Sequence, residues 1–414
     1  MINLFIITSS YPFGQGEQFL ETEIEYWAKH PDFIITIFPQ KNPGNPRTLP
    51  DGVSVDLCLT KFGFVLKIFS AIASWVSPML IKEILWQVQN KKFSKRNLKA
   101  AQCLTKLIIR QYIVLKDKTK GVKSIMAFYN YWFDTSSYVT ALLKRNKKVY
   151  FNFTRAHGFD LYESRRIENY MPLKRQFKYD FDKIFPISTH GLNYLADQYL
   201  IPYNNLLVSR LGVKMPDHFS KPNGQNYLKI LSLSFCVEVK RIDKIIDALS
   251  LASKKIYPDM QIVWTHIGSG SLKPDLEKRA NELLGGLDHL GFSFLGHIEN
   301  HRVIEYLKSE RIDVLINTSE SEGIPVSIME AMSFGIPAIA PAIGGIPEII
   351  NNNNGILLSE CPSIEEISNA ILQFDHYKKT STRRLAVETI SEYYNASKNY
   401  AQFICSIQQL IGSL

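Results

Sequence analysis

The sequence predicts an α/β fold built from two Rossmann-like, doubly wound domains, and three observations carry that prediction. Short β-branched runs alternate with amphipathic stretches, and glycine-containing loops follow several of the runs. The alternation comes in two sets, interrupted at residues 215–227 by a stretch rich in Pro, Gly, Asn and Lys with no periodicity. A chain of 414 residues, 45% hydrophobic and 21% charged, is also long enough to fill two cores. The domains are therefore expected at 1–214 and 228–396. An amphipathic tail at 397–414 is expected to cross back to the first.

In the first set Asn3–Thr8 reads as a strand, followed by a loop that contains Gly14 and Gly16, a helix at Phe19–Lys29 and a strand at Ile34–Phe38. Strand, glycine loop, helix is the phosphate-facing end of a doubly wound sheet, although a lone Gly-x-Gly marks only a turn. Ser124–Phe128 and Lys148–Phe153 are the next strands. At the carboxyl end of the second, where open α/β sheets bind ligands, stands Thr154-Arg155-Ala156-His157-Gly158-Phe159-Asp160. Lys183–Ile187 and Leu206–Val213 complete the set. Arg210, in the last run, suits either a phosphate or a surface ion pair.

The second set opens with Leu228–Ser234, then Lys240-Arg241 and a helix whose apolar face is Ile242, Ile245, Ile246 and Leu249. Met260–Ile267 precedes Gly268-Ser269-Gly270, and Phe292–Leu295 precedes Gly296-His297. Ile312–Thr318 is a buried strand by type and length. A polar turn follows, with Pro325 expected in the first turn of a helix that Gly335 ends. Pro337–Pro341 is another strand, and Gly344-Gly345 leads to a short helix containing Pro347. Glu322 and Glu330 thus flank a helix start. Two helix N-termini are expected to aim free N–H groups at one crevice, a seat for phosphate oxygens. Carboxylates beside such a seat suit the hydroxyls of an attached sugar or ribose. Taken alone, the pair reads equally as a cap and a solvated face residue.

The whole string from Glu322 through Glu330 to Pro337, with Gly344-Gly345-Ile346-Pro347-Glu348 after it, resembles the E-x7-E signature of retaining glycosyltransferases of the GT-B fold, family 4. The likeness is close over 319–348 and looser over nearly the full chain. It implies two Rossmann-like domains facing across a cleft, with a nucleotide-diphosphate sugar (UDP or GDP) bound mainly to the second. On that resemblance Glu330 takes the ribose hydroxyls. Glu322 and the segment Gly323, Ile324, Pro325 and Val326 hold the sugar, and Lys240, aided by Arg210 or Arg241, offsets the diphosphate charge. Gly14 and Gly16 would lie beside that diphosphate and His297 near the base. His157, in an R-A-H-G-x-D string similar to the family's, would border the transferred sugar, with Asp160 orienting it or capping a helix. Glu17 is a further candidate on the acceptor side. The catalytic set is Glu322, His157 and Lys240. Phe235 departs from the pattern, since many relatives carry arginine there. The implied acceptor is a saccharide, lipid-linked, in bacterial surface polysaccharide synthesis such as capsule or O-antigen. A 2-epimerase or phosphorylase on the same architecture, or a non-catalytic binder, are the competing readings. No DxD-type motif stands at a strand end, so neither metal nor other cofactor is expected.

Charge is concentrated in one region. Residues 61–123 hold 14 Lys and Arg against Glu83 and Asp117, although the whole chain carries only +9. Within it, 62–81 contains a single charge, Lys67, which length alone would admit as a membrane span, but Pro78 interrupts it. Two readings stand: basic amphipathic helices resting on an anionic membrane surface, or a buried helix with a solvated basic neighbour. No nucleic-acid motif accompanies the lysines, and nucleic acid is not expected as a partner. The five cysteines are scattered without a CxxC pair, which argues against a disulfide framework or zinc site. Residues 2–7 lack the basic start and cleavage site of a signal peptide. A cytoplasmic location at the inner face of the membrane is expected.

Overall fold

The computed structural model describes residues 1–14, 17–122, 124–146, 151–257 and 259–412. Gly16 and positions 148–150 of an expected strand lie outside them. The chain divides into two compact units, Met1–Arg210 with Tyr400–Leu414, and Leu211–Asn399.

The first unit holds a six-stranded sheet, β1 (Ile2–Thr8), β2 (Phe33–Pro39), β3 (Val53–Val55), β4 (Met126–Asn130), β5 (Phe151–Ala156) and β6 (Lys183–Pro186). All strands are parallel, in the order β3-β2-β1-β4-β5-β6. Every residue of β4 and β5 is buried, because helices cover both faces of a parallel sheet. These strands are accordingly rich in apolar residues, and their polar members, Asn130, Asn152, Thr154 and Arg155, are buried with them. β3 has only three residues, too few for a periodic signal, and the sequence did not announce it. The run 206–213 forms no full strand. Leu206 makes one bridge to Ile184, and Leu207 and Ser209 donate to Ile184 and Pro186. Val213 then turns to bond Tyr394 and Ala396 of the second unit.

Helix α1 (Gln18–Ala28) joins β1 to β2. Between β3 and β4 come α2 (Phe64–Trp75), α3 (Pro78–Gln89) and the long α4 (Lys95–Lys118); α5 (Thr135–Arg145) follows β4. The α2/α3 break falls where Pro78 cannot donate to a continuing helix, and Ser77 caps α3 by accepting from the Met79 N–H.

The second unit repeats the plan with β7 (Tyr227–Leu233), β8 (Gln261–Ile267), β9 (Leu290–Gly296), β10 (Val314–Ile316), β11 (Ala338–Pro341) and β12 (Gly355–Leu358), in the order β12-β11-β10-β7-β8-β9. In each unit the winding direction reverses between its first and fourth strands, β1/β4 and β7/β10. The terminal Ala396–Gly412 helix buries Phe403, Ile404, Ile407 and Ile411 among Leu4, Ile6 and Trp27 of the first unit. Each such burial contributes about 1.5–3 kcal/mol.

Candidate functional site

The second unit assembles its candidate residues where β7 and β10 lie side by side. Lys240, in a 3₁₀ turn after β7, ion-pairs through Nζ with Oε1 of Glu322 in the loop after β10. The two loops are stitched together. Thr318 Oγ1 donates to the Lys240 and Arg241 carbonyls at 3.1 and 2.8 Å, and the Glu320 N–H bonds Val239. Arg241 stands in the left-handed region, φ 49°, and its guanidinium is engaged by Asp243 and Glu320.

Glycines bring a second loop onto the first. At Gly344 (φ 53°) a Cβ would lie 2.0 Å from the Glu322 carbonyl oxygen, and at Gly345 one would lie 2.4 Å from Ile324. No other residue fits this approach. The Gly345 N–H donates to Gly323 at 2.7 Å, which fixes the Glu322-Gly323 backbone.

The helix after this loop begins at Val326, so Pro325 is its cap and not, as expected, a first-turn residue; its carbonyl accepts from Ile328 and Met329. The second expected N-terminus is absent among the described residues. Ile346–Glu348 is a single 3₁₀ turn in which Ile346 already donates to Ile343 and Pro347 has no N–H. Around Lys240 and Glu322, among the described residues, the Val326–Ser333 and Ile242–Ser253 helices present first-turn N–H groups.

Glu330 is not a solvated face residue. It is buried, with Oε1 accepting from Asn300 Nδ2 at 2.8 Å. Burial pushes its carboxyl up to about 7, against which the Asn300 hydrogen bond pulls only weakly. Asn300 opens the helix after the β9 loop that carries His297, which is half-buried with Nε2 3.6 Å from Glu299. Phe235, at the position of the missing arginine, is exposed.

In the first unit His157 follows β5 directly and is buried. Its ring packs on Tyr131 and Trp132, with centroids 4.8 and 4.5 Å away. Its backbone N–H donates to Asp160 Oδ1, whose other oxygen accepts from the Phe133 N–H, both at 2.8 Å. Asp160 therefore ties the loops after β4 and β5 together and caps no helix. Its Oδ2 lies 3.7 Å from His157 Nδ1, outside hydrogen-bond range. Burial raises the Asp160 carboxyl, but the neighbouring His157 ring, the Lys174 ammonium and the Phe133 amide outweigh it and hold it below the usual range.

Gly14 takes φ 68°, and its carbonyl accepts from Arg47 at 2.8 Å. Glu17 serves the loop itself. It accepts from the Ser9, Ser10 and Tyr11 amides at 2.7–2.8 Å and from the Trp132 indole at 2.6 Å. Arg210 donates to Thr189.

Sequence reasoning overlooked several charged groups here. Arg155, inside the motif string, points into the core. It lies 3.5 Å from Glu23, bonds Tyr129 and stacks over Phe403, 4.2 Å from the ring centroid. Lys174 is buried and donates to the Asp160 carbonyl, and burial draws its ammonium down to about 7. It lines a cavity of about 360 Å³ together with Phe133, Asp134, Phe159, Arg166 and Tyr170. These residues carried no spacing that could mark them, because the cavity forms only when the stretch 159–174 folds against Phe133 and Asp134. No group of three or more His, Cys, Asp or Glu is placed to hold a metal among the described residues.

Two parallel sheets wound in the same strand order, with charged residues at the reversal of the second, define the GT-B architecture. Solved structures share it end to end. Lipopolysaccharide outer core galactosyltransferase WaaB superposes with a TM-score of 0.67 at 16% identity, covering 98% of this chain and 99% of that one. Sucrose-phosphate synthase of Thermosynechococcus elongatus gives 0.68 at 15% identity, covering 100% of each. Residues 214–386 match the model of the family "Glycosyl transferases group 1". Among curated relatives, the putative teichuronic acid biosynthesis glycosyltransferase TuaC of Bacillus subtilis is 27% identical over 27% of this chain and 29% of its own. The putative colanic acid biosynthesis glycosyltransferase WcaL of Salmonella typhimurium is 24% identical over 61% and 63%. The chain thus spans less than two thirds of the length of either.

Proposed function

We propose that the chain is a retaining glycosyltransferase that moves a hexose-type sugar from a nucleotide diphosphate to a hydroxyl of a saccharide, lipid-linked, in bacterial surface polysaccharide synthesis. The observation that carries this reading is the Lys240–Glu322 pair at the β7/β10 reversal, next to two helix N-termini and the buried Glu330. The relatives' polysaccharide assignments, teichuronic and colanic acid, support the pathway class.

In this scheme Lys240 exchanges Glu322 for the donor diphosphate, whose two charges attract the ammonium more strongly than one carboxylate does. Glu322 is thereby freed to accept from sugar hydroxyls. Lys240 and the N-termini then stabilise the leaving diphosphate as its charge grows, the kind of contribution that usually dominates catalysis. Glu330 accepts from the ribose hydroxyls. The acceptor attacks the face the diphosphate leaves, and a phosphate oxygen takes its proton, so no protein nucleophile is required. His157, packed on Tyr131 and Trp132, borders the sugar and shields its cationic carbon. The cations do the work that a divalent metal does elsewhere, and the reaction is metal-independent. The aromatic and charged cavity around Arg166 and Lys174 is a seat for the acceptor saccharide.

The test is a panel of UDP- and GDP-sugars incubated with the protein and saccharide acceptors, with product anomers read by NMR. Retention of configuration is expected. Inversion would overturn the mechanism. Donor consumed to an isomer without acceptor would favour an epimerase instead.

A further inference from the structure

Helix α2 is folded inside out. At 100° per residue, Phe64, Val65, Ile68, Phe69, Ile72 and Trp75 fall within an arc of about 140°, and all are exposed. Phe64, Val65 and Ile72 are 68–80% exposed. The opposite side carries the only fully buried side chains of α2, Ser70 and Ser74, which accept from Arg110 and Gln102 of α4 at 2.7 and 3.0 Å. Helix α3 repeats the inversion. Ile81, Leu85 and Val88 face outward, whereas Glu83 and Gln87 are buried beside Leu80 and bonded to Tyr170. A protein that turns serines inward and large apolar side chains outward over two consecutive helices exposes far more than scattered surface apolar residues.

We infer that the outer face of α2 and α3 docks on an anionic phospholipid bilayer. The charge around it selects that occupant. Lys67 and Lys82 stand exposed on the two helices, Lys61 precedes them and Lys91 follows. Glu83, the one acid between 61 and 116, is buried and spent on Tyr170 and Gln176. Within 61–116 no exposed carboxylate therefore opposes anionic head groups, and the exposed Glu168 beside the end of α3 accepts from Ser94 Oγ at 2.7 Å. A second copy of this chain would bring an equally basic face and be repelled.

The helices lie on the bilayer and do not cross it. No single helix among the described residues is long and apolar enough to span, and α2 and α3 are bent by 43° at their break. Crossing would also strip the Ser70 and Ser74 hydrogen bonds from α4. The apolar arc sinks into the interface and the lysines pair with phosphates. This inference is independent of the sugar-transfer reading, since the surface contains none of the residues assigned to it.

The test is flotation of the full chain with vesicles of pure phosphatidylcholine and of phosphatidylcholine with one-third phosphatidylglycerol. Binding is expected only, or at least tenfold more tightly, with the anionic vesicles, and is expected to weaken as salt rises. V65E/I72E should reduce it by roughly tenfold or more, and K67Q/K82Q by about fivefold per lysine. Thermal unfolding and donor titration should stay as in the parent, since neither pair touches the core or the second unit. Failure to float with anionic vesicles, or unchanged flotation of V65E/I72E, would overturn the inference. So would concentration-dependent self-association abolished by V65E/I72E, which would assign the face to a second copy. Donor binding measured alongside separates any of these outcomes from failure of the sugar-transfer reading.

Discussion

Replacing Glu330 with glutamine tests the donor site most directly, because stability and binding should move in opposite directions. The substitution keeps an oxygen to accept from Asn300 and removes only the ionisation. A carboxyl moved by burial from 4.5 to about 7 costs the folded state about 3 kcal/mol once ionised. The stabilising contribution of a raised carboxyl is fully present below pH 4.5 and is lost as the pH rises through 7. Glu330→Gln never ionises, so at pH 8 it should melt above the parent by roughly 5–10 °C, with little difference at pH 5. Donor binding requires the ionised form to accept from two hydroxyls. Parent affinity for the nucleotide sugar should therefore fall about tenfold between pH 8 and pH 6, as the carboxylate goes from mostly ionised to mostly protonated. The variant should bind weakly and without that slope. Calorimetric titration and thermal scans at matched pH read both quantities. A flat donor affinity in the parent, or melting curves of parent and variant that run parallel from pH 5 to 8, would refute the reasoning.

Other substitutions separate the remaining roles. Glu322→Ala should lower kcat on the order of 10²–10³-fold, whereas Glu330→Ala should chiefly raise the donor KM; the reverse pattern in steady-state kinetics contradicts the assignments. Gly344→Ala, whose Cβ would meet the Glu322 carbonyl at 2.0 Å, should destabilise the second unit by about 2 kcal/mol or more and weaken donor binding, both visible in one ligand-dependent melt. Glu23→Ala leaves the Arg155 guanidinium buried without its counter-charge and should cost the first unit about 3–5 kcal/mol in denaturant unfolding, while donor affinity stays unchanged. Excess EDTA should change turnover by less than about twofold; a larger loss restored by added Mg²⁺ would contradict metal independence.

The amino-acid order alone determined the two alternating sets and the loops in which ligands meet an open sheet. Both are local properties: a buried parallel strand is mostly apolar, and a loop packed against its neighbour's backbone must be glycine, as at Gly344 and Gly345. Tertiary structure decided whatever depends on partners distant in the chain. Lys240 and Glu322 are joined only because β7 and β10 become neighbours. Asn300 reaches Glu330 only because the β9 loop returns to that edge, and burial there converts an ordinary glutamate into a group that titrates near neutrality. The same holds for Glu17, whose carboxylate is consumed by three loop amides and an indole. Periodicity shows that α2 has two faces, but it cannot say which one is turned inward. Only the fold shows the serines turned toward α4, bonded to Arg110 and Gln102, and the large apolar side chains left outside.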